Sequence, residues 1–274
     1  MGDARIKLIL SDIDGTILPA GQPYVSERTA DAFSAALAAG YRVGPASGRA
    51  RAWMVPFLRG RDELCTTALA TNGMEVYLDG ELIHRETVAY GLLEELAAEM
   101  AETPHAGLVV FDEGVPQLAA GTLDDLAACF PAYAKTCRVV GAVPDAPAVK
   151  VNVFQLTDME GTRTFVGRLN GEYPELSFDV PQAAWSNVTP RGWSKGAAVR
   201  VLCDAISCST DEALVFGDAG NDVPMFRVAG HSAAVTGATP EAAAAARYRI
   251  ARCEDDAVAA AIEALVAGEW PFSD

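Results

Sequence analysis

The sequence predicts an α/β protein: a parallel-sheet core interrupted by an inserted α+β domain. Three observations carry that expectation. Apolar runs at 6–10 and 213–216 each give way to an acidic, glycine-containing turn, and open parallel sheets place their chemistry in such turns. Short apolar strands alternate with amphipathic helices on either side of the middle of the chain. The middle itself runs helix, strand, strand, helix, an order that suits a sheet with helices on one face.

Taken in order, the first strand is 6–10, and a helix is expected over 26–39. Ser26 caps that helix, Ala30, Phe33 and Leu37 share a face, and Gly40 ends it. Strand 41–45, helix 49–59 and strand 66–70 continue the alternation. Asp79-Gly80 between two apolar runs predicts a hairpin over 75–85. The inserted region then reads as helix 88–102, strands 107–112 and 115–120, helix 122–133, strand 149–156, helix 158–170, and strands 176–180 and 183–188. Residues 189–192 read as the return linker. Helix 194–206, strand 213–216, helix 222–229, strand 232–235 and helix 255–267 complete the core, and the Ala-rich stretch 241–247 reads as a short surface helix without a function. The expected division is 1–84 with 190–274 as the core and 85–189 as the insertion.

The stretch Ser11-Asp12-Ile13-Asp14-Gly15-Thr16 puts two carboxylates one residue apart at the end of the first strand. Strand side chains alternate, so Asp12 and Asp14 are expected to converge on one small volume. Like charges are costly there unless a cation or a reaction needs them. An ordinary Asp-Gly turn has the same local look, but Gly217-Asp218-Ala219-Gly220-Asn221-Asp222 repeats the pattern at a second strand end. Together the two ends supply oxygen ligands of the kind Mg2+ takes, with room for a phosphate oxygen. Ser47-Gly48-Arg49 follows another strand, and Lys195 opens a helix after Gly192-Trp193-Ser194; these are anion-binding types. Taken singly, Lys195 and Arg49 read as solvated helix residues and Asp222 as a helix N-cap.

Lys and Arg number 21 against 37 Asp and Glu, a formal net charge of −16. Nucleic acid and anionic membranes are poor partners for such a surface, and binding a phosphate requires a local inversion of sign, which Mg2+, Lys195 and Arg49 together supply. No apolar run is long enough to span a bilayer. Met1–Arg5 leads straight into the first strand, so no signal peptide is expected. The 6 cysteines show no Cys-x-x-Cys pair, and His84, His105 and His231 are scattered, which fits a reduced, cytoplasmic chain.

With these residues in order, the chain resembles the haloacid dehalogenase (HAD) superfamily, in its Cof-type phosphatase branch with a large C2 (type IIB-like) cap. Asp12-Ile13-Asp14-Gly15-Thr16 matches the first motif and Ser47-Gly48-Arg49 the second. Lys195-Gly196 matches the third, and Gly217-Asp218-Ala219-Gly220-Asn221-Asp222 the fourth. Asn72-Gly73 matches the usual entry into the cap. Ser47 stands where Thr is commoner, Gly237 where Asn is expected, and Asp255-Asp256-Ala257-Val258 replaces the usual Asp-Gly-Val.

The resemblance implies a Rossmann-like core with an inserted cap, and a Mg2+-dependent phosphatase of small phosphorylated metabolites such as sugar or polyol phosphates. It implies Asp12 as the nucleophile of an aspartyl-phosphate intermediate and Asp14 as general acid and base. Asp12, the Asp14 main-chain carbonyl and Asp218 are expected to hold Mg2+, with Asp222 on its waters or just outside. Ser47, Gly48, Lys195 and Asn221 are expected around the phosphoryl group, Lys195 also keeping Asp12 ionised, and Arg49 at the phosphate or the substrate body. A phosphomutase of the same superfamily and a phospho-Asp signalling module are the alternatives. Lys150, Asn152, Arg163, Arg168 and Trp185 in the inserted region read as solvated face or small core.

Overall fold

The computed structural model describes residues 6–112 and 114–272; the leader reading made on Met1–Arg5 lies outside the described residues. The chain divides into two units, one reaching to Arg85 and resuming at Trp193, the other spanning Glu86–Gly192.

The first unit begins with β1 (Leu8–Ser11), α1 (Glu27–Ala38), β2 (Arg42–Pro45), α2 (Arg51–Met54), β3 (Ala68–Ala70), β4 (Glu75–Leu78) and β5 (Glu81–Arg85). The second unit contributes α3 (Tyr90–Glu102), β6 (Ala106–Asp112), β7 (Val115–Ala120), α4 (Leu123–Cys129), α5 (Pro131–Ala134), β8 (Arg138–Val139), β9 (Val151–Gln155), α6 (Met159–Glu172), β10 (Leu176–Phe178) and β11 (Trp185–Pro190). The chain then returns through α7 (Lys195–Ala205), β12 (Ala213–Gly217), α8 (Val223–Val228), β13 (His231–Thr236), α9 (Pro240–Ala245), β14 (Tyr248–Arg252) and α10 (Ala257–Val266).

In the first unit, five parallel strands run in the order β14-β13-β12-β1-β2, and a bridge between Ala46 and Leu69 sets β3 beside β2. Both faces of this sheet are covered, which is why β1 and β12 read as unbroken apolar runs. Ile9, Leu214 and Phe216 pack with Phe33 of α1 and Ile262 of α10. Leu8, Leu10 and Val215 point the other way, onto Val199 and Leu202 of α7 and Phe226 of α8. Truncating one of these large side chains to Ala costs about 2–5 kcal/mol. The chain leaves β1 toward β2, while β12 lies on the other side of β1. The carboxyl ends of β1 and β12 therefore flank the point where strand order reverses, the usual place for a ligand in an open α/β sheet.

The second unit is a six-stranded sheet in the order β10-β11-β9-β6-β7-β8. Leu93, Leu96 and Met100 of α3 and Phe165 and Leu169 of α6 cover one face, against Leu108, Val110, Val151 and Val153. The one-face expectation holds for these two helices only. Phe130 and Tyr133, at the α4–α5 junction, pack on Trp185 of the opposite face at ring separations of 4.6 and 5.6 Å. Trp185 and Asn152 are buried there; Asn152 Nδ2 donates to Ser186 O and Asn187 Oδ1 at 3.2 and 2.8 Å.

Several boundaries differ from the sequence reading for identifiable reasons. The expected helix 49–59 stops at Met54, because Pro56 has no N–H to return to Ala52. The single helix expected over 122–133 is broken at Phe130, whose φ of −146° is extended, as the residue before Pro131 favours. The linker expected at 189–192 is partly strand, since β11 runs through Pro190. The sequence reading passed over β14, an edge strand with arginines at Arg249 and Arg252. Asp256, where the resemblance leads one to expect Gly, has a left-handed φ of 53°; its carboxylate compensates by accepting from Ser26 Oγ at 2.6 Å and Thr29 Oγ1 at 3.2 Å. Among the described residues no helix is long and apolar enough to cross a membrane.

Candidate active site

The sequence singled out loops after β1, β2 and β12 and the start of α7, and each belongs to the first unit. β1 ends at Ser11, and Asp12 N–H still donates to Phe216 O at 2.9 Å, which turns the Asp12 side chain inward to 6% exposure. Lys195, capped into place by Ser194 Oγ at the start of α7, is 1% exposed. Its Nζ lies 2.6 Å from Asp12 Oδ1 and 2.7 Å from Asp222 Oδ1. The reading of a solvated lysine is overturned by this burial. A long cationic side chain is buried because two carboxylates meet its charge.

Asp222 is fully buried, and its second oxygen accepts from the N–H groups of Asp218 and Ala219 at 2.9 and 3.1 Å. Protein donors thus hold both oxygens, so Asp222 shapes the loop that carries Asp218. The Asp218 side chain accepts from Thr16 Oγ1 at 2.9 Å. Gly15, at φ +83°, makes room for it: a Cβ there would come within 2.7 Å of Asp218 Oδ2.

One oxygen each of Asp12, Asp218 and Asp222 lies within 4.8 Å of the others. Burial, against the pull of Lys195, pushes the Asp12 carboxyl well above the usual carboxylate range, and Asp222 and Asp218 add to the rise. Burial likewise pushes Asp218 up to about 6, against the Thr16 hydrogen bond. Lys195 moves up as well: burial opposes its charge, but Asp12 and Asp222 outweigh it. An all-oxygen, acidic cluster of this kind fits a small hard dication, whose charge would relieve the crowding.

Asp14 does not join this cluster, contrary to the expectation that the two carboxylates converge. The strand has ended before Asp14, so alternation no longer governs its side chain, which is 55% exposed. Arg49 grips it with two hydrogen bonds, Nε to Oδ2 at 2.9 Å and Nη2 to Oδ1 at 2.7 Å. The Arg49 guanidinium also lies 4.0 Å from the centre of the Phe57 ring. Ser47 is buried; its N–H donates to Leu69 O at 2.9 Å and its Oγ accepts from Arg49 N–H at 3.3 Å. Asn221 donates through Nδ2 to Asn72 Oδ1 at 3.2 Å. The sequence reading treated Asn72 only as part of an entry segment, and its signal was the Asn-Gly pair itself, a frequent left-handed turn.

Charge, burial and spacing thus equip this unit to hold an oxyanion beside a cation and a buried carboxylate. A family model for haloacid dehalogenase-like hydrolases matches residues 9–262. A Haemophilus influenzae protein provisionally named a phosphatase is 24% identical over 282 residues, spanning 94% of this chain and 97% of its own. Among solved structures, the HAD subclass IIB sugar phosphatase BT4131 has a TM-score of 0.78 at 21% identity, over 94% of this chain and 98% of its own. SMU.1108c of Streptococcus mutans UA159 reaches 0.84 at 18% identity, over 96% and 99%. At these identities the structural likeness establishes the fold alone.

Proposed function

The chain belongs to the haloacid dehalogenase-like hydrolase family, and from that premise we propose that it is a Mg2+-dependent phosphatase of small phosphorylated metabolites, with sugar or polyol phosphates the first class to test. The observation that carries the reading is the buried Lys195 set between Asp12 and Asp222, beside the oxygen cluster completed by Asp218. A fixed cation and a carboxylate buried side by side suit attack on an anionic ester. The likeness to a structure named as a sugar phosphatase supports the substrate class.

Asp12, the Asp14 main-chain carbonyl and Asp218 would hold the metal, with Asp222 keeping the loop of Asp218 in place. When bound, Mg2+ neutralises the clustered carboxylates and draws charge from the phosphoryl oxygens. Lys195 holds Asp12 Oδ1, leaving the other oxygen to attack phosphorus. The bond from Asp12 to phosphorus forms as the ester P–O bond breaks, and Asp14 gives its proton to the leaving oxygen. Water then attacks the aspartyl-phosphate, Asp14 takes its proton, and phosphate leaves with Asp12 restored. Ser47, Gly48, Lys195 and Asn221 bind the phosphoryl oxygens during both displacements. Arg49, paired to Asp14 without substrate, is placed to release it when an anionic ester competes for the guanidinium.

A phosphate-release screen across phosphorylated metabolites, with and without Mg2+, tests the reading. Release of free phosphate separates it from a phosphomutase, which returns the phosphoryl to another hydroxyl, and from a phospho-Asp signalling module, which retains it. No release from any ester would refute it.

A further inference from the structure

Thr71, Asn72 and Gly73 have successive φ values of +52°, +57° and +87°. A left-handed φ is uncommon outside glycine and a genuine outlier for a β-branched residue such as Thr71. Conformations of this kind persist where the surroundings over-determine them, often at functional sites. Here the surroundings are the loops of the proposed site. Thr71 N–H donates to Arg49 O and Asn72 N–H to Ser47 O, each at 2.9 Å. Gly73 O accepts from Trp193 Nε1 at 3.0 Å, and Gly73 lies so close to α7 that a Cβ would come within 2.7 Å of Ala198 Cβ and 3.3 Å of Lys195 Cα. The Asn72 side chain reaches a third loop through its hydrogen bond from Asn221, and it stands close against Gly48, where a Cβ would come within 3.3 Å of Asn72 Oδ1.

We infer that Asn72 is a positioning residue whose left-handed turn fixes the Ser47–Arg49 loop through the main chain and Asn221 through the side chain, setting their separation before substrate arrives. The inference rests on the reading of Ser47, Gly48 and Asn221 as phosphoryl-binding groups. If turning the chain were the whole task, glycine would serve with less strain. Asparagine tolerates the same φ and adds an amide that spans to the loop after β12. Placement of this kind matters most in the transition state, where a displacement of about 1 Å costs on the order of a hundredfold in rate.

The test uses the full chain with Mg2+ and an aryl phosphate, comparing Asn72→Gly, Asn221→Ala and the double variant. Asn72→Gly keeps the turn and removes the amide, so its Tm should not fall. Its kcat should drop about ten- to a hundredfold while KM stays within about threefold. The double variant should be no slower than the slower single variant, since both remove the same contact. An unchanged kcat in Asn72→Gly, or losses that multiply in the double variant, overturns the inference and leaves the phosphatase reading intact. An unaltered chain that releases no phosphate removes the phosphatase reading itself.

Discussion

Asp12 and Asp14 are separated by one residue, yet they occupy opposite electrostatic settings. Asp12 is buried against a buried lysine and two further carboxylates. Asp14 is largely exposed and held by one arginine that is itself part-exposed. The buried array is rigid because each charge is costly without its partners. The exposed pair gains little over water and separates readily. A nucleophile benefits from the first setting and a proton carrier that must change partners from the second.

The largest effect that can break this contrast is chemical. Asp12→Asn should abolish turnover and leave no covalent phosphoenzyme, because an amide is a poor nucleophile. Intact-mass analysis after incubation with an aryl phosphate checks this, and a persisting phosphate adduct would assign the nucleophile elsewhere. Asp14→Asn should slow cleavage of an ordinary ester by about 10²–10⁴-fold. With a nitrophenyl or acyl phosphate, whose leaving group needs no proton, the first displacement should survive and the second stall. A burst of leaving group with phosphate trapped on Asp12 is the expected trace, and steady turnover without a burst would count against Asp14.

Stability gives a smaller, sharper version of the same comparison. Lys195→Ala leaves buried carboxylates unmatched and should cost about 3–5 kcal/mol, whereas Arg49→Ala cuts an exposed pair and should cost within about 1 kcal/mol. Denaturant midpoints measure both, and equal losses would erase the distinction drawn between the two ends of the site. The smallest effect concerns pH. Asp218, held up at about 6 by burial, binds its proton more tightly folded than unfolded, where its pKa is about 3.9. The metal-free protein should therefore lose stability as pH rises from about 4 through 6, by at most about 3 kcal/mol from this group, whose own contribution is complete above that range. A dication favours the ionised form, so the Tm gain on adding Mg2+ over EDTA should be larger at pH 7 than at pH 5. Equal gains would mean that the cluster does not take the cation.

The buried half of the site was legible because its residues sit at strand ends and a helix start, where local sequence dictates geometry. Asp12, Asp218, Asp222 and Lys195 needed only β1, β12 and α7 to form in the expected places, and they did. The exposed half was less legible. Whether Asp14 follows strand alternation depends on where β1 stops, and a one-residue boundary decides which way a side chain points. The Arg49–Asp14 grip and the Asn72–Asn221 contact join segments 35 and 149 positions apart, and neither carries a local periodic signal. In the second unit the strands expected at 107–112, 115–120 and 149–156 fall on β6, β7 and β9, but the break at Pro131 and the short strand β8 fell below what a hydrophobic pattern resolves.

The place of β1 in its sheet has a consequence for the order of synthesis. β1 is flanked by β2, made soon after it, and by β12, whose neighbourhood is reached only with Glu212, 205 positions beyond Lys7. Until then one edge of β1 lacks its partner, and the apolar residues it turns toward α7 wait for residues 195–205 to complete their cover. Glu86–Gly192, by contrast, is one continuous stretch and emerges whole from the ribosome ahead of the core's second segment. Non-local pairing of this kind is slow and exposes strand edges to aggregation. Limited proteolysis of nascent chains stalled with Gly192 just outside the ribosome should find 86–192 protected and the β1 region cut, and protection appearing first at β1 would contradict that order.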